Sequence, residues 1–152
     1  MTGAAFNNPT LAGDTVNSRD WRAAEVPAAN GHGTARAIAK IYGVLARGGE
    51  QDGVHLMRPE TLDRAITAES DGPDAVLGQM PMRFGLGFML RQDFMPLSPG
   101  PRGFGHAGAG GSLGVGDPDT KTGFGFTLNK MQMGLVGAPV AFEMLKAFHE
   151  AL

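Results

Sequence analysis

Five of the ten residues from Gly103 to Ser112 (Gly-Phe-Gly-His-Ala-Gly-Ala-Gly-Gly-Ser) are glycine. Each glycine would weaken a helix by about 1 kcal/mol relative to alanine, so this stretch is not helical. Glycine at this density suits backbone that bends sharply or comes very close to another group. One ionisable side chain, His106, sits in the middle. The residues alone leave two readings open. The stretch is a tight strand entry with a histidine capping it, or it is one wall of an active site.

The rest of the chain is read around this segment. Residues 1–29 show no regular period. Asn7-Asn8-Pro9, Ala12-Gly13-Asp14 and Val26-Pro27 are turn signals, and the stretch, with Trp21 in it, reads as extended loop on a surface. Structureless segments beyond about 12–15 residues are uncommon in compact domains, which hints that the chain begins mid-domain. Asn30-Gly31-His32-Gly33-Thr34 leads into a helix, with Thr34 as N-cap, apolar residues at 35, 38, 39, 42 and 45, and Gly48-Gly49 as the stop. Val54–Met57 reads as a short extended piece. Pro59 opens a second helix, which Asp71-Gly72-Pro73-Asp74 ends, and a loop follows through Pro81.

From Met82 to Arg91 large residues alternate with glycines, which predicts one strand with Phe84, Leu86, Phe88 and Leu90 on a single face. Phe104–His106, Ser112–Gly116 and Phe124–Leu128 read as further strands, the last two antiparallel across the turn Asp117–Gly123. Pro139 opens a final helix with Ala138, Phe142, Leu145, Phe148 and Leu152 on its apolar face and His149 at its solvent edge. The order predicts an α+β fold, an antiparallel sheet with flanking helices, divided into a loop and helical part (1–81) and a part with the sheet strands and C-terminal helix (82–152).

Several function classes lack support. The chain has no cysteine, which excludes disulfides and thiol catalysis. A net charge of −2 argues against a nucleic-acid partner. No apolar run reaches the ~18 residues of a membrane span, and no signal peptide is recognisable, so the expectation is a cytoplasmic protein without a membrane partner. His32, His55, His106 and His149 show no metal-ligand spacing, and neither a metal nor another cofactor is expected. Gly103-x-Gly105-x-x-Gly108 matches a dinucleotide fingerprint but opens no helix. Lys121-Thr122-Gly123 matches a signature triplet of penicillin-binding proteins and serine β-lactamases, yet it falls in a turn and reads as exposed.

Phe104-Gly105-His106-Ala107-Gly108-Ala109-Gly110-Gly111-Ser112-Leu113-Gly114, Asp117-Pro118, Phe124 to Asn129, Asn30 to Arg36 and Phe84 to Phe88 together resemble the serine β-lactamase-like family. That family includes class C β-lactamases, D-alanyl-D-alanine carboxypeptidases and family VIII-type esterases. The resemblance runs from about Phe6 to the C-terminus and implies the C-terminal part of a β-lactamase/transpeptidase-like fold. It also implies an acyl-enzyme reaction on a small-molecule ester or amide. By it, His106-Ala107-Gly108 is the family's third motif. His106 then orients substrate or the proton network, the Ala109 N–H is an oxyanion donor, and Ala107, Gly108 and Gly110 line the substrate. The other two motifs have no match. Ser18, Ser70, Ser98 and Ser112 lack a Lys three residues on, and the only tyrosine, Tyr42, is followed by Gly43-Val44 on the apolar face of a helix. Ser112 as a substitute nucleophile has no base near it in sequence. The expectation is therefore a segment inactive alone, whose partner is a missing N-terminal half or a second copy. The alternative is a non-catalytic binding or complementation module.

Overall fold

The computed structural model describes residues 1–7, 13–27, 29 and 31–152. Asn8-Pro9, Ala12 and Asn30 of the turn signals lie outside them. Thr2–Phe6 (α1), a 3₁₀ turn at Thr15–Asn17 and Arg19–Ala23 (α2) replace the extended loop expected before residue 29. Local capping explains the difference: Ser18 Oγ accepts from Trp21 N–H at 3.1 Å and starts α2 without any apolar period.

The helix Ala35–Ala46 (α3) forms as expected. Thr34 Oγ1 accepts from Ala37 N–H at 3.2 Å, a cap worth about 1 kcal/mol. At the other end Gly48 and Gly49, with φ of 90° and 89°, donate to Leu45 O and Val44 O. These are the paired bonds of a Schellman stop. A small hairpin follows, Glu50–Gln51 (β1) with Val54–His55 (β2), turned by Asp52-Gly53. Pro59–Ala65 (α4) is the second helix.

One antiparallel sheet of six strands holds the remainder, in the order Ser70–Asp74 (β3), Met80–Phe84 (β4), Met89–Leu90 (β5), Phe104–Ala107 (β6), Leu113–Asp117 (β7) and Thr122–Phe126 (β8). Three expectations are corrected here. The sheet starts at Ser70 rather than Met82, because 70–74 pairs with 80–84; Pro73 is tolerated there since β3 is an edge strand. The alternating run 82–91 is two strands, because Gly85 N–H bonds Phe88 O at 2.9 Å and Gly87 takes φ 81°. That turn leaves Leu86 exposed and splits the expected face: Phe84 packs with Met82 and Met89, whereas Phe88 and Leu90 pack with Phe104 in a separate cluster. Gly85 meets Ala65 O so closely that a Cβ would overlap it, so the close approach expected on the glycine side holds at this position.

Helices cover both sheet faces. On one, α3 lies over β7 and β8. The Tyr42 ring fills the space a Cβ would take at Gly114, and the α3 backbone at Ala39 and Gly43 does the same at Gly123. Phe104 is fully buried there among Leu45, Leu62 and Leu90, with Tyr42 and Phe88 rings 5.9 and 4.9 Å away. On the other face Pro139–Glu150 (α5) sets Ala141 and Leu145 against Ala107, Leu113 and Val115. Leu152, expected on that apolar face, lies past the helix end and is 67 % exposed.

His149 is not at the solvent edge. Its side chain is 8 % exposed, and Nε2 lies 4.0 Å from Oδ2 of buried Asp117. Burial pushes the imidazole pKa below its usual value, and Asp117 opposes this only in part. The folded state therefore binds fewer protons here than the unfolded chain, so stability is full above about pH 6.5 and falls as pH drops below it. Urea midpoints at pH 7.5 and pH 5 should show this loss, and His149→Gln should reduce it.

Candidate active site

β5 pairs with β6 only at Met89↔Gly105 and Leu90↔Phe104, while β7 pairs with β6 along its whole length. Arg91 N–H donates to Gly103 O, so by strand alternation Gly103, Gly105 and Ala107 turn their peptide groups toward β5. At Ala107 β5 has already ended. Beyond Gly105 that edge of β6 has no strand partner.

His106 stands on that edge, exposed to solvent, its ring 6.4 Å from that of Phe84. Nδ1 lies 2.7 Å from Ala107 O. A carbonyl oxygen only accepts, so Nδ1 carries the proton and Nε2 is the ring atom left to face a ligand. The turn that follows is braced from within. Gly108 N–H donates to Ser112 O at 2.8 Å and Gly111 N–H to Gly108 O at 3.1 Å. Gly110 is buried beneath Met131; its N–H bonds Gly134 O, and its carbonyl accepts from Gln132 N–H. Ala109 is exposed at the tip, and its N–H bonds no group among the described residues. His106 and Ala109 are thus exposed at one end of β6, whereas Ala107, expected to line the substrate, is buried in the core beneath α5 and the peptides of Gly108 and Gly110 are engaged in holding the turn.

The four serines stand apart from any base. Ser18 caps α2, Ser98 Oγ–H donates to Gly100 O, Ser70 is in β3 and Ser112 closes the turn. None of their hydroxyls bonds a His, Lys or Tyr among the described residues. Tyr42 is packed against Phe88, Phe104 and Gly114, and burial pushes its phenol up to about 12. A phenol so hard to ionise is packing, not a base. It is the chain's one tyrosine, so ultraviolet titration should stay flat through pH 10 and move to about pH 10 once the chain is unfolded in urea. Lys121 is exposed in the β7–β8 turn with φ 57°, as the sequence reading has it. Among the described residues no cluster of His, Asp and Glu is spaced to hold a metal ion, and no helix is long and apolar enough to cross a membrane.

The beta-lactamase family profile matches residues 2–145. The chain belongs to the beta-lactamase family. The segment that resembles the third motif and the unpaired β6 edge thus sit in the sheet of a beta-lactamase fold. An esterase/beta-lactamase, LipL of Mycobacterium tuberculosis (strain ATCC 25618 / H37Rv), is 40% identical over 113 residues, which are 74% of this chain and 25% of LipL. A family VIII carboxylesterase of known crystal structure superposes with a TM-score of 0.91 at 36% identity, covering 99% of this chain and 40% of its own. A penicillin-binding protein homologue from Caulobacter crescentus gives 0.88 at 34%, with the same two coverages. The chain spans a quarter of the length of the curated relative and two fifths of these structures. The α+β architecture read from the sequence, an antiparallel sheet with flanking helices, is that of these beta-lactamase-fold neighbours.

Proposed function

We propose that this chain is the C-terminal segment of a serine hydrolase that cleaves small-molecule esters or amides through an acyl-enzyme, and that it is inactive alone. The observation that carries this reading is the unpaired edge of β6, with an unengaged Ala109 N–H and the exposed His106 ring on it. An acyl-transfer site needs an N–H aimed at the oxygen that becomes negative, on backbone open enough for a carbonyl to approach. Ala109 is such a donor on a turn whose other peptides are tied down. In the reaction a serine oxygen adds to the carbonyl, and Ala109 N–H holds the oxyanion. The alcohol or amine leaves with a proton, and water then cleaves the acyl-serine. His106 Nε2 orients the substrate or relays that proton. The serine and its base come from sequence absent here, since no Ser-x-x-Lys or Tyr-x-Asn occurs.

A chimera tests this. This chain replaces the superposing two fifths of the family VIII carboxylesterase, and turnover of p-nitrophenyl butyrate is measured. Turnover with a burst of p-nitrophenol is expected. A chimera that melts cooperatively yet shows none counts against the reading.

A further inference from the structure

The turn that carries Ala109 is clasped by a second loop. Gly110 N–H donates to Gly134 O at 3.1 Å, and Gln132 N–H donates to Gly110 O at 2.8 Å, so residues 132–134 close around the Gly110 peptide. The Met131 side chain lies along the same glycine. Its Cβ, Cγ and Cε stand 3.1, 3.0 and 2.5 Å from where a Cβ on Gly110 would be. Glycine at 110, with φ 89°, permits that approach. Met131 is nonetheless 69 % exposed, and Met133, at the apex of the clasp, is 99 % exposed. Two thioether side chains are therefore held in the open beside the proposed oxyanion donor.

The wall they form carries no charge. No residue from Ala107 to Gly116, or from Met131 to Phe142, is ionisable. Lys130, the next charge along the chain, lines a groove with Phe126 and Val140 instead. A carboxylate brought against such a wall loses hydration and gains no cation, whereas an alkyl chain gains by leaving water. Methionine is unbranched and has three rotatable bonds, so it fits itself to alkyl chains of different shape. The reaction decides which part of a substrate lies there. A carbonyl held on Ala109 N–H carries two groups. The leaving alcohol or amine departs with a proton, so it belongs on the side of His106 Nε2, three residues before Ala109. The acyl chain then runs the other way, over Gly110 and its Met131 cover.

We infer that Met131, with Met133 beyond it, is the acyl-chain subsite of the hydrolase and selects aliphatic acyl groups such as hexanoyl over acetyl and over acyl groups bearing a carboxylate. This rests on the reading of the chain as a segment of a serine hydrolase. Met131 is on this account a specificity-determining residue that touches the substrate without taking part in proton transfer.

Two measurements test it, one of which needs no turnover. In the chimera with the family VIII carboxylesterase, kcat/KM is measured for p-nitrophenyl hexanoate and p-nitrophenyl acetate. Met131→Asp should lower the hexanoate-to-acetate ratio by more than about tenfold, and Met131→Leu should keep it. Met144→Ser, on the exposed part of α5, is the control and should leave the ratio alone. In the purified chain, labelled with carbon-13 at the methionine methyls, 2-octanone supplies a carbonyl and a six-carbon chain that cannot be hydrolysed. It should shift the Met131 methyl and the Ala109 amide together and saturably, acetone should shift them far less, and the Met144 methyl should stay still. A ratio that Met131→Asp leaves unchanged overturns the inference. So does a titration in which Met131 does not move. A chimera inactive on both esters sinks the hydrolase reading instead, and the ketone titration then decides the subsite by itself. A chimera active on both, with an unchanged ratio in Met131→Asp, sinks the subsite and leaves the hydrolase.

Discussion

Gly123→Val leaves the chain without a cooperative melt. A side chain at 123 must overlap the Gly43 N and Ala39 O atoms of α3, which are main chain and cannot rotate aside. The helix would have to lift off β8, uncovering Tyr42, Ile38 and the face of Gly114 at once. Overpacking a core ordinarily costs about 1–3 kcal/mol. Here a whole helix moves, so the cost should exceed about 3 kcal/mol, a large part of the about 5–15 kcal/mol available to a domain. Gly33→Ala is the control. Nothing lies within 4 Å of where its Cβ would go, and its urea midpoint should stay with the parent's.

In the chimera with the family VIII carboxylesterase, Ala109→Pro should lower kcat for p-nitrophenyl butyrate by about 10²–10³, the usual consequence of removing one oxyanion donor. Proline deletes the N–H and sets its ring Cδ where the amide hydrogen pointed, so the loss should be at least that of the donor alone. Because that N–H bonds nothing else among the described residues, the melting temperature should hold. Loss of activity with an unchanged melt separates a catalytic role from a structural one. His106→Ala should lower kcat as well, and His106→Gln should restore part of it if orientation is the ring's contribution.

The elements most readable in the sequence carried their own boundary chemistry. Thr34 and Gly48-Gly49 mark both ends of α3, and the segment from Gly103 to Ser112 could not be helix. The hairpin turn at Asp52-Gly53 was equally available, since Asp-Gly between short extended runs is a strong hairpin signal. Other features depended on partners distant in the chain. Asp71-Gly72-Pro73-Asp74 reads as a breaker because its composition is that of a turn, and only the pairing of Ser70–Asp74 with Met80–Phe84 makes it part of a strand. His149 reads as a surface residue because nothing local shows that its helix ends over Asp117. The glycine alternation was visible, but not what it accommodates: the α3 backbone at Gly123 and Gly125, and the Tyr42 ring at Gly114. At the candidate site the residues alone singled out His106, and the family resemblance added Ala109. That β5 stops short and leaves the edge beside Ala107 without a strand partner required the strand register.

The central claim is that this chain holds one wall of an acyl-transfer site and lacks the nucleophile that the wall faces. Turnover of p-nitrophenyl butyrate and nitrocefin by the purified chain tests it most directly. The expected rate is the buffer background at every protein concentration. A rate that scales with the chain and disappears in His106→Ala would contradict the account, because the catalytic serine and its base would then have to lie within these 152 residues.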